Sequence, residues 1–289
     1  MRGATLPFPD GSCMDDIFVV TCISCALMVW LLWEWAINLS FEVSFLKWSN
    51  SRFSKSIYCI SRYLGLCALL GNVFFVIRSH NLGLPPPPIM CIRWFSSVSS
   101  VSLILMLNLE LLLLARVYAM YRHCLSLVIV FGILLAAKIP VTVFLVVIAC
   151  RKVLFMGATC IVQSIPSPMV AIGCLEIVAA ILIMAPTAIR YVYGIRQNGG
   201  QPIPLLQLIL RDGMITFTLV SGLFLIIIID MKEAGEAGRI IFPVAISVVS
   251  VATCRIIRNL RKFPVEGVSP SDEFQLTSMI LSDTSSQIF

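Results

Sequence analysis

The sequence predicts an all-α integral membrane protein, a polytopic bundle of seven transmembrane helices. Of its 289 residues, 59% are hydrophobic and only 12% are charged, whereas soluble domains have about 45–50% apolar and about 25% charged residues. The apolar residues fall into seven blocks separated by short polar joints, without a heptad or Gly-X-Y repeat. These observations exclude an ordinary water-soluble enzyme, a disordered chain and a long coiled coil.

Each block has the length that a helix needs to cross the hydrocarbon core, about 20 mostly apolar residues. The blocks are residues 17–39, 56–77, 96–118, 125–149, 170–192, 208–230 and 240–258. The first block is not a cleavable signal peptide, because it ends in Trp33, Glu34 and Trp35 instead of small residues. We therefore expect an extracytoplasmic segment over 1–16 and a membrane domain over 17–260. Residues 261–289 are expected to form a flexible cytoplasmic tail.

Residues that end helices mark the joints between the blocks. Prolines occupy 85–88 and flank Ser167, two glycines and two prolines lie within 199–204, and two glycines lie within 235–238. Proline cannot continue a helix and glycine lowers helix propensity, so each joint is predicted to be a turn outside the bilayer. No joint is long enough for a second domain.

The basic residues predict that the amino terminus is outside and the carboxyl terminus is cytoplasmic. With this orientation, twelve Lys and Arg residues flank the blocks on the inner side and seven on the outer side, as positively charged cytoplasmic loops require. The net charge of +6 is thus an orientation signal and does not indicate nucleic-acid binding. We expect membrane lipids and, on the basic inner surface, a cytoplasmic protein as partners. The plasma membrane is favoured over internal membranes.

Ionisable residues inside the apolar blocks are candidates for a functional site, because each costs at least about 2.5–3.5 kcal/mol to insert at the bilayer centre. Six of them share the inner half or inner mouth of the bundle: Glu34, Arg62, Glu110, Arg116, Arg211 and Asp212. We expect an ionic network in which Glu34 pairs with Arg62. Arg116 is expected to pair with Glu110 or Asp212. A structural lock and a switch at the cytoplasmic mouth both remain open.

A second pair of charges is predicted to lie deeper. Lys138 is near the middle of the fourth block, just before Pro140, and Glu176 is a turn or two below the outer end of the fifth block. Blocks joined by a short loop usually pack together, so we expect these two side chains to line one cavity that opens outward. This is the predicted site for a small ligand. A purely structural pair is the alternative.

Three cysteines, Cys91, Cys150 and Cys160, lie on the predicted outer side, where oxidation is permitted. Many seven-helix receptors carry a bridge from the third helix to the loop after the fourth. By this analogy we predict a disulfide between Cys91 and Cys160, and the third cysteine leaves the partner ambiguous. Most other cysteines lie inside apolar blocks and are expected to be small core residues.

The sequence has no motif that indicates an enzyme or a cofactor. It lacks a Walker loop, an HExxH motif, paired Cys-x-x-Cys motifs and a nucleophile elbow. His80 and His123 are too few and too far apart for a histidine metal centre. We therefore expect no enzyme activity, no cofactor and no metal site.

The segment from Trp33 to Leu66 has the sequence WEWAINLSFEVSFLKWSNSRFSKSIYCISRYLGL. It resembles the amino-terminal domain of a fungal family of multi-pass membrane proteins, the domain of unknown function numbered six-five-three-three. The matching residues are Glu42-Val43, Trp48, Lys55 and Arg62-Tyr63. Trp33-Glu34 departs from the Tyr-Asp pair of that family.

Two later segments extend the resemblance over most of the chain up to about Lys262. Residues 115–121 are similar to the family's Arg-hydrophobic-Tyr-Ala-Leu-Tyr segment, and residues 210–213 are similar to its Arg-Asp-Gly segment. The resemblance implies a multi-pass membrane architecture and a fungal source. It implies no established activity.

Two classes of function remain after these exclusions. The span count, the outer amino terminus, the expected disulfide and the basic inner surface favour a receptor-like sensor or interaction protein. The similarity to receptors is one of layout, because Arg116 lacks the preceding acidic residue of rhodopsin-like receptors. The alternative is a small-molecule or proton-coupled transporter that uses Lys138, Glu176 and Glu110, although no internal repeat supports it.

Overall fold

The computed structural model describes residues 12–48, 52–81, 87–121, 125–152, 167–197, 204–230 and 238–262. Almost all of these residues are helical and none of them forms a strand, so the all-α prediction is confirmed. The elements are α1 (Ser12–Ile37), α2 (Leu39–Trp48), α3 (Arg52–Cys59), a π-helical turn (Ile60–Leu64), α4 (Gly65–Asn81), α5 (Pro88–Met120), α6 (Leu125–Lys152), α7 (Ser167–Gln197), α8 (Pro204–Asp230) and α9 (Gly238–Lys262). Most of the predicted amino-terminal segment and nearly all of the predicted tail lie outside the described residues.

Each of the seven apolar blocks corresponds to one run of helix, and α2 is an eighth run in the joint after the first block. α3, the π-helical turn and α4 form one continuous run. Within the described residues, five helices are long and apolar enough to cross a membrane, or six if α1 and α2 form one broken span, and α8 contributes the shorter apolar helix Gly213–Ile226. The molecule is therefore a helical bundle of the integral-membrane type. The count of seven spans and the orientation stay predictions.

The break between α1 and α2 is a feature that hydrophobicity did not predict. α1 ends at Ile37, and the chain bends by 59° before α2. The Asn38 side chain donates a hydrogen bond to the carbonyl oxygen of Glu34 (2.6 Å) and stabilises this bend. α2 then buries Phe45 against the ring of Tyr58, with 5.1 Å between the ring centroids. The bend therefore folds α2 back onto the start of the second helical run.

α9 occupies the centre of the bundle. It packs against α1, α4, α5 and α8. In the most apolar 18-residue stretch of each helix, 61% of α9 is buried inside the protein, against 22% of α6. The more exposed α6 is also the more hydrophobic of the two, with a mean hydropathy of 2.6 against 1.3. Since lipid-facing surfaces must be apolar and interior positions tolerate small polar residues, this contrast is the one expected in a bilayer.

The π-helical turn is held by side chains from two neighbouring helices. Asn108 of α5 donates hydrogen bonds to the Ile57 carbonyl oxygen (2.8 Å) and to the Ser61 hydroxyl (2.6 Å). Ser250 of α9 donates to the Ser61 carbonyl oxygen (2.7 Å). A backbone carbonyl without a partner is costly away from water, so these contacts stabilise the turn. The turn buries Arg62 in the protein interior.

Candidate functional site

Two groups of polar side chains lie inside the bundle. The midbundle triad consists of Glu110, Lys138 and Glu176. The end cluster consists of Glu34, Asn38, Glu42, Arg62, Tyr63, Arg255 and Arg258. The triad joins α5, α6 and α7, and the end cluster joins α1, α2, the π-helical turn and α9.

In the midbundle triad, one ammonium group contacts two carboxyl groups. Lys138 Nζ donates to Glu110 Oε1 at 2.5 Å and to Glu176 Oε2 at 2.7 Å. The three side chains are 9%, 8% and 6% exposed for Lys138, Glu110 and Glu176. Direct ion pairs at this burial are strongly coupled, because removal of one partner leaves an uncompensated charge.

A proline interrupts the hydrogen bonding of α6 next to Lys138, and a threonine side chain forms hydrogen bonds close to the interruption. Pro140 lies inside the helix and cannot donate the helical hydrogen bond to the carbonyl of Ala136. The Thr142 hydroxyl lies 2.9 Å from the carbonyl oxygen of Ile139 and 3.1 Å from that of Lys138. This side chain therefore supplies hydrogen bonding next to the break in the helical pattern.

The structure brings Lys138 and Glu176 together, and it places Glu110 with them. Lys138 contacts both carboxyl groups directly. The expectation that Glu110 pairs with Arg116 is corrected, because Glu110 contacts Lys138. Six residues on a helix correspond to about 9 Å along the axis and about 240° of rotation, so Glu110 and Arg116 face different neighbours.

In the end cluster, an ion pair connects α1 to α9. Arg255 donates to Glu34 Oε1 from Nη2 (2.5 Å) and from Nε (2.8 Å). Asn38 donates to the other carboxylate oxygen of Glu34 at 2.7 Å and accepts a hydrogen bond from Arg258. The carboxylate of Glu34 is thus shared between its own helix end and α9.

Arg62 pairs with a different carboxylate from the one that the sequence predicted. Its Nε lies 3.6 Å from Glu42 Oε2, and its Nη2 donates to the backbone oxygen of Glu34 at 3.3 Å. Tyr63 donates to the other carboxylate oxygen of Glu42 at 2.5 Å. The expected side-chain pair between Glu34 and Arg62 is therefore corrected, because the fold-back of α2 places Glu42 beside the π-helical turn.

Sequence reasoning missed Glu42 and Arg255 as members of an ionic network. Glu42 lies between two apolar blocks, where the sequence predicted a joint and not a packed helix. A signal was present nonetheless, because the residues that carry the family resemblance include Glu42 and Arg62-Tyr63, which contact each other in the structure. Arg255 was counted only as an orientation signal.

Arg116, Arg211 and Asp212 are the remaining residues of the expected inner network. Arg116 donates to the carbonyl oxygen of Ile256 on α9 at 3.1 Å, and the side chain of Arg211 is exposed. The side chain of Asp212 lies outside the described residues, so its pairing with Arg116 stays a prediction. Arg116 therefore connects α5 to α9 close to the end cluster.

A small cavity adjoins the end cluster between α1, the π-helical turn and α9. Its lining includes Glu34, Tyr58, Arg62, Ser250 and Arg255. With Asn38 and Arg258, which also line it, the polar part of the wall combines a carboxylate, an amide, three guanidinium groups and two hydroxyl groups. Such a set of donors and acceptors suits a small polar molecule or water.

One half of the predicted disulfide is described. Cys91 is buried and disulfide-bonded, whereas Cys150 is a free thiol. Cys150 is therefore not the partner of Cys91, which removes one of the two outer-side alternatives. Cys160 lies outside the described residues, so the bond between Cys91 and Cys160 stays a prediction.

Residues 22–67 match a Family of unknown function (DUF6533). No curated protein and no solved structure matches the chain. The matched segment runs from α1 to the first turn of α4 and contains Glu34, Glu42, Arg62 and Tyr63. It therefore supplies every described member of the end cluster except the two arginines of α9. The amino-terminal part of this membrane-type helical bundle is thus a domain of unknown function, DUF6533.

Proposed function

We propose that the protein is a receptor-like membrane sensor in which the end cluster holds α9 against the DUF6533 segment in the resting state. The observation that carries this proposal is the ion pair between Glu34 on α1 and Arg255 on α9. α9 is the central helix of the bundle, so a change in its contacts at this end reaches four neighbouring helices.

The two ion pairs of the end cluster differ in burial. This difference suits one contact that opens and a second contact that stays closed. The Arg255 side chain is 54% exposed, and ion pairs of this kind contribute only about 0–1 kcal/mol. The pair between Arg62 and Glu42 is 8% and 3% exposed, and breaking such a pair costs about 3–5 kcal/mol. We therefore assign switching to Arg255 and a structural role to Arg62.

Hydrogen exchange of the α9 backbone tests the resting contact in lipid nanodiscs. We expect faster exchange over residues 255–262 in Glu34→Gln and Arg255→Gln, with partial recovery of protection in Arg255→Lys. Arg196→Gln, an exposed arginine on α7, is the matched control and should leave exchange unchanged. Equal exchange in wild type and Arg255→Gln would show that the pair does not hold α9.

A proton-coupled transporter is the second candidate, and the midbundle triad is the observation that favours it. Buried intramembrane carboxylates paired with a lysine occur on proton and ion pathways. Proteoliposomes with an imposed pH gradient and an internal pH-sensitive dye separate the two candidates. Proton flux above that of protein-free vesicles, absent in Lys138→Met, would support transport and overturn the receptor-like proposal.

A further inference from the structure

The midbundle triad has one more carboxyl group than it has cationic groups. If all three side chains were ionised, Glu110, Lys138 and Glu176 would carry a net charge of −1 among side chains that are less than 10% exposed. An uncompensated charge in a buried site is far more costly than a neutral group. The site therefore requires one further positive charge.

The two carboxyl groups share a single donor. Lys138 Nζ donates to Glu110 Oε1 at 2.5 Å and to Glu176 Oε2 at 2.7 Å, so both carboxyl groups lie around one ammonium group. Two carboxylates in one buried site repel each other, and a proton on one of them removes this repulsion. The ammonium group of Lys138 meanwhile occupies the position between the oxygens that a metal cation would need.

On α8, the neighbour of α7, an uncharged residue lies level with Glu176. Gly173 lies against Phe224, and Gly213 lies against Met184, so α7 and α8 are antiparallel and Ser221 is level with Glu176. The Ser221 hydroxyl is buried without a hydrogen-bond partner among the described residues.

The basic residues of the same helices lie further along the bundle. Arg211 of α8 is about ten residues from this level, or about 15 Å along the helix. Arg116 of α5 contacts Ile256, and Arg255 of α9 contacts Glu34. Arg62, the basic residue of the π-helical turn beside α5, pairs with Glu42.

We propose that the midbundle triad is a proton-binding site that holds one exchangeable proton between Glu110 and Glu176. The proton comes from water, forms one O–H bond to a carboxylate oxygen, and leaves a neutral set of ammonium, carboxylate and carboxylic acid. This site goes beyond the receptor-like proposal and does not rest on it. Proton binding at the triad would make the contacts among α5, α6 and α7 depend on pH. The relevant pH is that on the side of the membrane from which water reaches the triad.

The charge count predicts the behaviour of each variant. Glu110→Gln and Glu176→Gln each leave one lysine and one carboxylate, a neutral pair that needs no proton, so both variants should fold. Lys138→Met leaves two carboxyl groups that both need a proton. The double variant Glu110→Gln/Glu176→Gln leaves the ammonium group alone and should be the least stable of the four.

Infrared spectroscopy of the full-length protein in nanodiscs tests the proposal through the carbonyl band of protonated carboxylic acids. Wild type should show this band at neutral pH, with a shift in D₂O. Each single glutamine variant should lose the triad's contribution, and Lys138→Met should increase it by about twofold, since two carboxyl groups are then protonated. Glu34→Gln, in the end cluster, is the control that should keep the band.

Two results would overturn the proposal. One is a band that persists in either single glutamine variant, because the charge count would then be wrong. The other is a wild-type protein without the band, and a thermal stability that depends on Na⁺ would then indicate a bound cation in place of the proton. The hydrogen-exchange result for Arg255→Gln is independent of both, so failure of the receptor-like proposal is distinguishable from failure of this one.

Discussion

Asn108 illustrates how a single buried amide connects two helical runs. It lies on α5, is 5% exposed, and binds both a backbone carbonyl and a hydroxyl of the run that contains the π-helical turn. Ser61, which receives one of these bonds, also accepts a hydrogen bond at its carbonyl oxygen from Ser250 of α9. In a regular α-helix, such backbone carbonyl oxygens accept hydrogen bonds from the helix itself. At this irregular segment, polar side chains of neighbouring helices donate to them instead.

Replacement of this amide tests that role. We expect Asn108→Ala to lower the free energy of unfolding by about 1–2 kcal/mol, because the Ile57 carbonyl loses its side-chain donor. Ser100→Ala on the same helix is the control, since its exposed hydroxyl binds only the Ser96 carbonyl of its own helix. The measurement is reversible unfolding in mixed detergent micelles. Equal effects of the two substitutions would contradict the assigned role.

At the scale of the element, the contact between α4 and α9 depends on the absence of a side chain. A Cβ atom at Gly65 would lie 2.8 Å from Ser250 Oγ and 3.0 Å from its Cβ, and Ser250 is fixed by its hydrogen bond to Ser61. Small residues allow close helix approach within membranes, where packing replaces the hydrophobic effect between helices. Gly71 on the same helix has nothing within 4 Å of the corresponding position.

These two glycines form a matched pair for mutagenesis. We expect Gly65→Ala to destabilise the protein by about 1–3 kcal/mol through overpacking against α9. Gly71→Ala should be neutral or stabilise it by about 0.5–1 kcal/mol, because alanine has the higher helix propensity. Thermal unfolding of both variants in one detergent provides the comparison. Similar losses in both would show that helix approach at Gly65 is not the limiting contact.

At the scale of the whole molecule, the number of membrane crossings depends on two elements. The bent pair of α1 and α2 counts as one broken span or as a re-entrant segment, and the apolar helix within α8 is shorter than the other spans. The remaining five candidate spans do not depend on this choice. An odd total places the two ends of the chain on opposite sides, and an even total places them on the same side.

Reporters fused to each end of the full chain decide this parity. We expect an amino-terminal reporter to be outside and a carboxyl-terminal reporter in the cytoplasm, because the sequence predicts seven crossings with more basic residues on the predicted inner side. A third reporter inserted between α6 and α7 serves as the control and should be outside. Detection of both end reporters on the same side would reduce the count to six.

The helices follow from the amino-acid sequence alone. Apolar blocks of about 20 residues, ended by proline and glycine, predict helices because they have the length of a spanning helix, which satisfies its backbone hydrogen bonds within one segment. The same local argument identified Lys138, Glu176 and Glu110 as intramembrane charges. It also predicted the proximity of Lys138 and Glu176, since adjacent helices with a short connection usually pack together.

Only the tertiary structure decided which charges meet. Hydrophobicity along the chain indicates the depth of a residue, but a contact also depends on the direction in which the side chain leaves its helix. Glu110 faces Lys138 and not Arg116 because of helix rotation, and Glu42 reaches Arg62 because the chain bends at Asn38. Arg255 meets Glu34 across 221 residues of sequence. Such a contact arises from the packing of α9 against α1, and no local pattern encodes it.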